Sequence, residues 1–130
     1  MVAVANPNKR KGDRAELDSS AWFQVNGWPN ADRSLGAGRR EDRGDLTGIR
    51  RFCVQVKDHA QFRINTWIPE MLEQKRRSGA EFGVLLLKRR GTSDVGRWYA
   101  VLEVEDLNRL MIEAEKGTTA ATVGDGRQRE

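Results

Sequence analysis

The chain has 130 residues, which is enough for one domain with one hydrophobic core, and it carries a formal net charge of +4. Its single cysteine, Cys53, excludes an internal disulfide and a zinc site of paired cysteines, and its single histidine, His59, excludes a histidine-rich metal site. No apolar run is long enough for a signal peptide or a membrane span, so we expect a soluble, intracellular protein of the cytoplasm with no membrane contact.

The charge is unevenly distributed along the chain. Residues 9–90 contain 18 Lys or Arg against 11 Asp or Glu, whereas residues 91–130 contain 5 against 8. A basic front part and an acidic back part indicate one face turned toward a polyanion such as nucleic acid. The alternative is an ordinary solvated surface, and charge alone does not decide between the two.

The beginning of the chain predicts a short arm followed by a helix. Asn6 and Pro7 argue against helix, so we expect a flexible arm over residues 1–8 and a first helix over about 11–25. Its buried side is expected to carry apolar residues at helical spacing, which are Ala15, Leu17, Ala21, Trp22 and Val25. The helix begins among cations, which oppose its macrodipole. Such a start favours binding to phosphate, and a solvated helix end is the alternative. The cations are Lys9, Arg10, Lys11 and Arg14.

A second basic segment lies at residues 33–43. It combines two glycines with dense charge and has few apolar side chains to bury, so we expect a mobile loop that contacts DNA phosphates. The glycines do not form a P-loop, because the Lys-Ser/Thr pair of that motif is missing and no convincing strand precedes them. The arginines expected to bind DNA here are Arg33, Arg39, Arg40 and Arg43.

Residues 44–58 predict a hairpin of two short strands with a turn at about 48–51. Asp45 stands at the start of the first strand. The second strand alternates in character, which marks two different faces: Phe52, Val54 and Val56 on one, and Cys53, Gln55 and Lys57 on the other. Pairing of the strands would place a carboxylate, an amide oxygen and an ammonium in one small patch.

The segment after the hairpin predicts a helix and a buried strand. The helix is expected over about 66–77, with Pro69 in its first turn, where a proline is tolerated. Residues 82–87 are apolar on both faces, which is typical of a central strand.

The last third of the chain predicts a strand over 97–104 and a helix over 105–114 that turns Leu107, Leu110 and Met111 inward. Residues 117–130 are low in apolar content and are expected to form a disordered tail. One domain then remains over residues 9–116. Its alternation of helices and strands predicts the α/β class, with a mixed sheet flanked by helices.

Two stretches of this sequence resemble a known family. Asp45, followed ten residues later by Gln55-Val56-Lys57, resembles the core of the PD-(D/E)XK nuclease superfamily. The stretch from Arg10 to Leu17 is similar to the basic first helix of archaeal-type and bacteriophage Holliday junction resolvases, whose glutamate completes the active site; Glu16 matches that glutamate. The resemblance covers about residues 9–110 and implies a restriction-endonuclease-like fold with an αβββαβ core.

The resemblance also implies a Mg²⁺ site in which Mn²⁺ substitutes. Asp45 would be the principal ligand, joined by the Val56 carbonyl, the Gln55 side chain and Glu16. Lys57 would complete the catalytic set by orienting the attacking water and stabilising negative charge. Gln55 departs from the Glu or Asp more common at its position, which predicts weaker metal binding. Without the resemblance, Asp45 as a turn cap and Lys57 as a strand-edge solubiliser remain the alternative.

The resembled resolvases are homodimers that cut a four-way DNA junction symmetrically. A junction with two-fold symmetry calls for an enzyme with two-fold symmetry, so we expect a homodimer here. The implied function is therefore a metal-dependent, structure-selective DNA endonuclease of recombination and repair, a Holliday junction resolvase acting on branched or duplex DNA. A small phage-encoded nuclease would suit such a chain. Two alternatives stay open: another nuclease of the superfamily that acts on flaps, nicks or single strands, and a DNA-binding protein of the same fold that has lost catalysis.

Overall fold

The computed structural model describes residues 7–34 and 44–123, without the side chains of residues 7, 8 and 119–123. Three α-helices, five strands and one 3₁₀ turn make up the described residues. In chain order they are α1 (Pro7–Val25), β1 (Asp32–Arg33), β2 (Leu46–Thr47), β3 (Phe52–Lys57), α2 (Ile64–Ser78), β4 (Phe82–Leu87), the 3₁₀ turn (Val95–Arg97), β5 (Tyr99–Val101) and α3 (Val104–Val123).

The five strands form one mixed sheet in the order β1-β2-β3-β4-β5. The first three strands are antiparallel neighbours, and β5 pairs antiparallel with β4. The central pair β3–β4 is parallel, with registers from Phe52–Phe82 to Lys57–Leu87, and α2 connects the two strands. The predicted α/β class and the mixed sheet flanked by helices are therefore confirmed.

Both faces of the central strands are covered. The face that carries Val54 and Val56 packs with Ala15 of α1, and the other face packs with Trp67 and Met71 of α2. Gly83 of β4 lets α2 approach closely, because a Cβ there would overlap the Met71 sulfur. The expected apolar face of β3 is confirmed, and the opposite face, with Cys53 and Gln55, is buried as well.

Helix α1 begins at Pro7, inside the predicted arm and four residues before the predicted helix start. Proline suits the first helical position because the missing N–H would have no partner there. Its buried face also differs from the expected one: Ser19 is fully buried, and its hydroxyl donates to the Ala15 carbonyl at 2.7 Å. Leu17 and Val25, expected inside, are 46% and 81% exposed. Residues 1–6 lie outside the described residues.

Helix α2 ends as its sequence predicts, with Gly79 in the left-handed conformation that satisfies the last carbonyls. The prediction for its start was wrong. The helix begins at Ile64, so Pro69 is its sixth residue and not part of its first turn. Pro69 lacks the backbone N–H that a helix interior uses for hydrogen bonding. The packing of Trp67 and Met71 against β4 compensates for the loss of that hydrogen bond.

The C-terminal region differs most from its prediction. The strand expected over 97–104 is only three residues long, because Arg97 ends the 3₁₀ turn and Val104 begins α3. Helix α3 continues to Val123, so the tail predicted as disordered is helical up to that residue and lies outside the described residues only from 124 to 130.

Helix α3 is attached to the sheet by a buried carboxylate rather than by its apolar side chains. Asp106 is 3% exposed and accepts hydrogen bonds from the Gly83 N–H at 3.0 Å and from Lys75 Nζ at 3.2 Å. Leu107 and Met111, predicted to face inward, are 41% and 52% exposed, and Leu110 is half-buried. None of the helices over the described ranges is long and apolar enough to cross a membrane.

Candidate functional site

The candidate site is organised around Asp45, whose position depends on the glycine before it. Gly44 has a φ of +89°, and a Cβ on it would lie 2.8 Å from the Val54 carbonyl oxygen. A larger residue would therefore push the start of β2 away from β3. The Asp45 N–H donates to the Val54 carbonyl at 2.8 Å, and its carbonyl accepts from Ser34 N–H at 2.7 Å. The backbone of Asp45 is thus held from both sides.

The Asp45 carboxylate lies against the edge of β3. Its Oδ2 accepts a hydrogen bond from the Val56 N–H at 2.8 Å. In a strand the N–H and C=O of one residue point to the same edge, so the Val56 carbonyl also faces this side. Burial raises the pKa of Asp45, and the Val56 hydrogen bond and the charge of Lys57 act in the opposite direction. The carboxylate is held in a place where its negative charge is poorly solvated.

Glu16 reaches the same region from α1. Its side chain is 17% exposed, and burial together with the charge of Asp45 raises its pKa to about 7. The positive charge of Arg33 lowers the pKa but does not cancel the other two effects. Glu16 therefore holds a proton about half of the time near neutral pH. Two carboxylates that disfavour each other's ionisation are typical of functional sites.

Arg33 of β1 joins the acidic residues of α1. Its Nη2 lies 2.7 Å from Asp13 Oδ1 and 3.1 Å from Glu16 Oε1. The guanidinium is 23% exposed, and its Nε is buried without a hydrogen-bond partner among the described residues. The prediction that Arg33 lies in a mobile loop was wrong, because Arg33 belongs to β1 and its side chain turns inward to these carboxylates. Its contact with DNA phosphates stays a prediction.

Asp13 is a residue of this cluster to which sequence reasoning assigned no role. One signal was present, since Asp13 and Glu16 are three residues apart and share a helix face. The cation between them could not be found in this way. Arg33 is 17 residues from Glu16 along the chain and reaches it only through the docking of β1 beside α1.

Lys57 and Gln55 lie on the sheet face that α2 covers. Lys57 Nζ is 3.8 Å from Glu70 Oε1 and 5.5 Å from the centre of the Trp67 ring. Gln55 is 3% exposed and pairs in register with Leu85 of β4. The structure brings Glu16, Asp45 and Lys57 within electrostatic reach of one another through Asp45. Gln55 is adjacent in the strand and packed under α2.

Neither Cys53 nor His59 has the environment of a reactive group. Burial raises the pKa of the Cys53 thiol to about 11, so this fully buried side chain stays a protonated thiol at neutral pH. The His59 ring lies 4.9 Å from the Trp67 ring. Burial and the nearby cations Lys57 and Lys11 lower its pKa, which leaves the imidazole neutral at pH 7.

The oxygen atoms around Asp45 fit a magnesium ion in their chemistry. Two carboxylates and a backbone carbonyl are the hard ligands that Mg²⁺ prefers, and both carboxylates carry raised pKa values that a cation would lower. Over residues 7–34 and 44–123, however, no three His, Cys, Asp or Glu side chains are grouped closely enough to hold a metal by themselves. Water and a substrate phosphate would have to complete the coordination.

The cations predicted to bind DNA at the start of α1 remain on the surface or pair locally. Lys9 and Arg14 form ion pairs one helical turn along α1, at 3.0 Å to Asp13 and 3.4 Å to Asp18. Lys11 lies 3.9 Å from Asp58, and Arg10 is exposed. Exposed ion pairs of this kind are weak, so these cations remain accessible to phosphate. Arg39, Arg40 and Arg43 lie outside the described residues.

No protein-family model, curated protein or solved structure matches this chain. The interpretation of the site therefore depends on its geometry and on the sequence resemblance.

Proposed function

We propose that this protein is a metal-dependent DNA endonuclease of the PD-(D/E)XK type, and most specifically a Holliday junction resolvase. One observation carries the proposal: Asp45, directly before β2, accepts a hydrogen bond from the backbone of Val56 at 2.8 Å and lies within electrostatic reach of Glu16 and Lys57. Residues distant in sequence thus converge from α1, from β3 and from the segment that leads into β2. Chance occurrences of the short motif do not require such convergence.

The arrangement of elements supports the same proposal. From α1 to β4 the order is helix, three strands, helix, strand, and the strands before α2 are antiparallel. This is the order that the αβββαβ core of the restriction-endonuclease-like fold would have. The site lies where β2 leaves β3 after a single paired residue, Leu46 with Val54. A ligand that entered here would meet the Asp45 carboxylate and the Val56 edge.

Each residue of the site has a distinct task in the proposed reaction. Asp45, the Val56 carbonyl and Glu16 would hold Mg²⁺, which supplies positive charge opposite the scissile phosphate when bound. Lys57 would donate a hydrogen bond to the phosphate or the attacking water and stabilise the charge that develops there. Arg33 keeps Glu16 oriented toward the site through its contact at 3.1 Å. Gln55 contributes an uncharged amide where a further carboxylate would bind metal more strongly.

The proposed substrate is DNA with a branch, gripped mainly through phosphates. Lys9, Arg10 and Arg14 at the start of α1 lie on the same helix as Glu16, so a strand bound there passes the site. Two sites are needed to cut a four-way junction symmetrically, and we therefore propose a homodimer.

A catalytically silent DNA-binding protein is the second candidate, favoured by two observations. Gln55 is neutral and buried, and Arg33 already supplies positive charge to Glu16 and Asp13. A site that is complete without metal would bind DNA and not cut it. Replacing Gln55 with Glu would then introduce a missing metal ligand.

The test is a cleavage assay with a panel of labelled substrates, consisting of a four-way junction, a flap, a nicked duplex and a linear duplex. The proposal expects paired symmetric nicks in the junction with Mg²⁺, none with EDTA, and loss of cleavage in Lys57→Ala. The matched control is Lys116→Ala, an exposed lysine of α3, which should cut like the wild type.

Other outcomes decide between the alternatives. Cleavage of the flap or nicked duplex in preference to the junction would replace the resolvase with another nuclease of the same type. Tight junction binding without cleavage, in Mg²⁺ and in Mn²⁺, would contradict the nuclease and favour the silent binder. Cleavage gained by Gln55→Glu would then show that the amide is the cause.

A further inference from the structure

A second cationic region lies beside the candidate site, at the carboxyl ends of the parallel strands β3 and β4. It is a pocket of about 300 Å³ whose lining includes Lys11, Asp58, Lys88, Arg89 and Arg90. The carboxyl ends of parallel strands are a common place for ligands in α/β proteins. The pocket is joined to the site directly, because Lys88 N–H donates to the carbonyl of Lys57 at 3.0 Å.

The charges of the pocket are held in place by one carboxylate. Asp58 is 11% exposed and lies 3.9 Å from Lys11 Nζ and 3.7 Å from Lys88 Nζ. Four cations against this one anion leave the lining with a net charge of +3. Asp58 thus draws the two lysines together without neutralising them. A phosphate group is small enough for the pocket and complements its charge.

An exposed pair of aromatic rings adjoins the same pocket. The Arg89 guanidinium lies 5.1 Å from the centre of the Tyr99 ring, and its Nη1 donates to the Arg97 carbonyl at 3.1 Å. Phe62 meets Tyr99 edge-on, with ring centres 6.3 Å apart and planes at 90°. The two side chains remain 40% and 50% exposed. Exposed apolar surface that is contiguous and bordered by polar residues is one of the marks of a ligand-binding groove.

We propose that this region binds one nucleotide of an unpaired DNA strand, with its phosphate in the pocket and its base stacked on Tyr99. Aromatic faces beside a basic groove are the usual means of binding single strands without sequence preference. The inference rests on the proposed function, because it names the part of the substrate that lies beside Lys57. It means that the preferred substrate has unpaired nucleotides next to the cleaved phosphate, as at an opened junction centre.

The experiment measures binding without cleavage. A fluorescein-labelled 15-mer of thymidylate and an abasic 15-mer with the same backbone are titrated with the full chain in EDTA, and anisotropy gives the Kd. The wild type should bind thymidylate about tenfold more tightly than the abasic strand, since stacking acts on the base alone. Tyr99→Ala should remove most of this difference, and Tyr99→Phe should keep it.

The phosphate part is tested with Arg90→Ala, a substitution at an exposed position of the pocket. The substitution should weaken the binding of both strands equally. It should also reduce the slope of log Kd against log salt by about 0.7, the value for one phosphate contact in a single strand. Arg76→Ala is the control, because it removes the same charge from the exposed end of α2. The control should leave the slope unchanged.

The proposal is overturned if the wild type binds the two strands equally, if Tyr99→Ala keeps the preference for thymidylate, or if Arg90→Ala behaves like Arg76→Ala. These failures are distinguishable from failure of the proposed function. A wild type that prefers thymidylate but never cuts a junction contradicts the proposed nuclease function alone. A wild type that cuts the junction but binds both strands equally contradicts the proposed nucleotide binding at the pocket alone.

Discussion

Replacing Glu16 with Gln should make the protein more stable above neutral pH while abolishing the proposed DNA cleavage. Glu16 has a pKa of about 7 in the folded protein against an ordinary value of 4.5. Because this pKa is raised by folding, the contribution of Glu16 is fully present below pH 4.5 and is lost as pH rises toward 7. Each unit of pKa difference corresponds to about 1.4 kcal/mol, so ionisation of Glu16 lowers the free energy of unfolding by about 3 kcal/mol.

The substitution removes this loss because glutamine stays neutral. We expect equal stabilities of the two proteins at pH 4 and an advantage of about 3 kcal/mol for Glu16→Gln at pH 8. Urea denaturation followed by tryptophan fluorescence, repeated at each pH from 4 to 8, measures the difference. A difference in stability that does not change with pH, or a wild type that is more stable at pH 8, would contradict the raised pKa of Glu16 as its cause.

The matched control is Glu73→Gln on α2, where the electrostatics have the opposite sign. A hydrogen bond from Arg76 lowers the pKa of Glu73 to about 2, so its contribution is present above pH 4.5 and is lost as pH falls toward 2. Glu73→Gln should therefore be less stable than the wild type at pH 8. If both substitutions act in the same direction, the effect is not due to the site around Asp45.

Three further predictions concern the site and the attachment of α3 to the sheet. Mg²⁺ at about a hundred times its Kd should stabilise the wild type by about 2.7 kcal/mol in the same urea titration, and should not stabilise Asp45→Asn. Gly44→Ala should lower the free energy of unfolding by about 1–3 kcal/mol, because its φ is +89° and its Cβ would meet the Val54 carbonyl. Gly117→Ala, with open space around it, should stabilise α3 slightly. Equal changes of the two variants in thermal melts would contradict this difference. Asp106→Ala should cost about 3 kcal/mol, because it leaves the Gly83 N–H and Lys75 without their buried partner, and a loss below about 1 kcal/mol by urea denaturation would contradict this.

Local patterns in the sequence were sufficient to predict the hairpin and the central strands. The alternation from Phe52 to Lys57 identified the strand that carries the site, and the turn before it brought Asp45 to that strand. The apolar run from Phe82 to Leu87 identified the central partner. These features depend on the period of a strand and on neighbours in the chain, which a sequence displays directly.

Contacts between distant segments could not be predicted in this way. The inward turn of Arg33 depends on β1 docking beside α1, and nothing in its basic, glycine-rich surroundings indicates that. Helix α3 shows the same limit. Its periodic Leu107 and Met111 suggested burial, yet Asp106 makes the buried contact because the Gly83 N–H and Lys75 are the groups it meets. Periodicity identifies a helix, whereas the face that is buried depends on the partner.

Gln55 places a neutral side chain at a buried position where the resembled family more often has Glu or Asp. The amide is buried beneath α2, next to the edge where Asp45 accepts a hydrogen bond from Val56. A charged residue at this position would need a cation nearby to offset its burial. The wild-type amide avoids that requirement. We therefore expect Gln55→Glu to bind Mg²⁺ more tightly and to be less stable in EDTA.

The role of Asp45 in cleavage is tested by the single-turnover rate of cleavage of a labelled four-way junction in Mg²⁺, compared between the wild type, Asp45→Asn and Glu115→Gln, a substitution at an exposed position of α3. We predict that the wild type and Glu115→Gln cut at the same rate and that Asp45→Asn loses at least a hundredfold, as expected when a group acting on developing charge is removed. Equal rates for the wild type and Asp45→Asn would contradict the assignment of the site, and absence of cleavage by a wild type that binds the junction would contradict the nuclease itself.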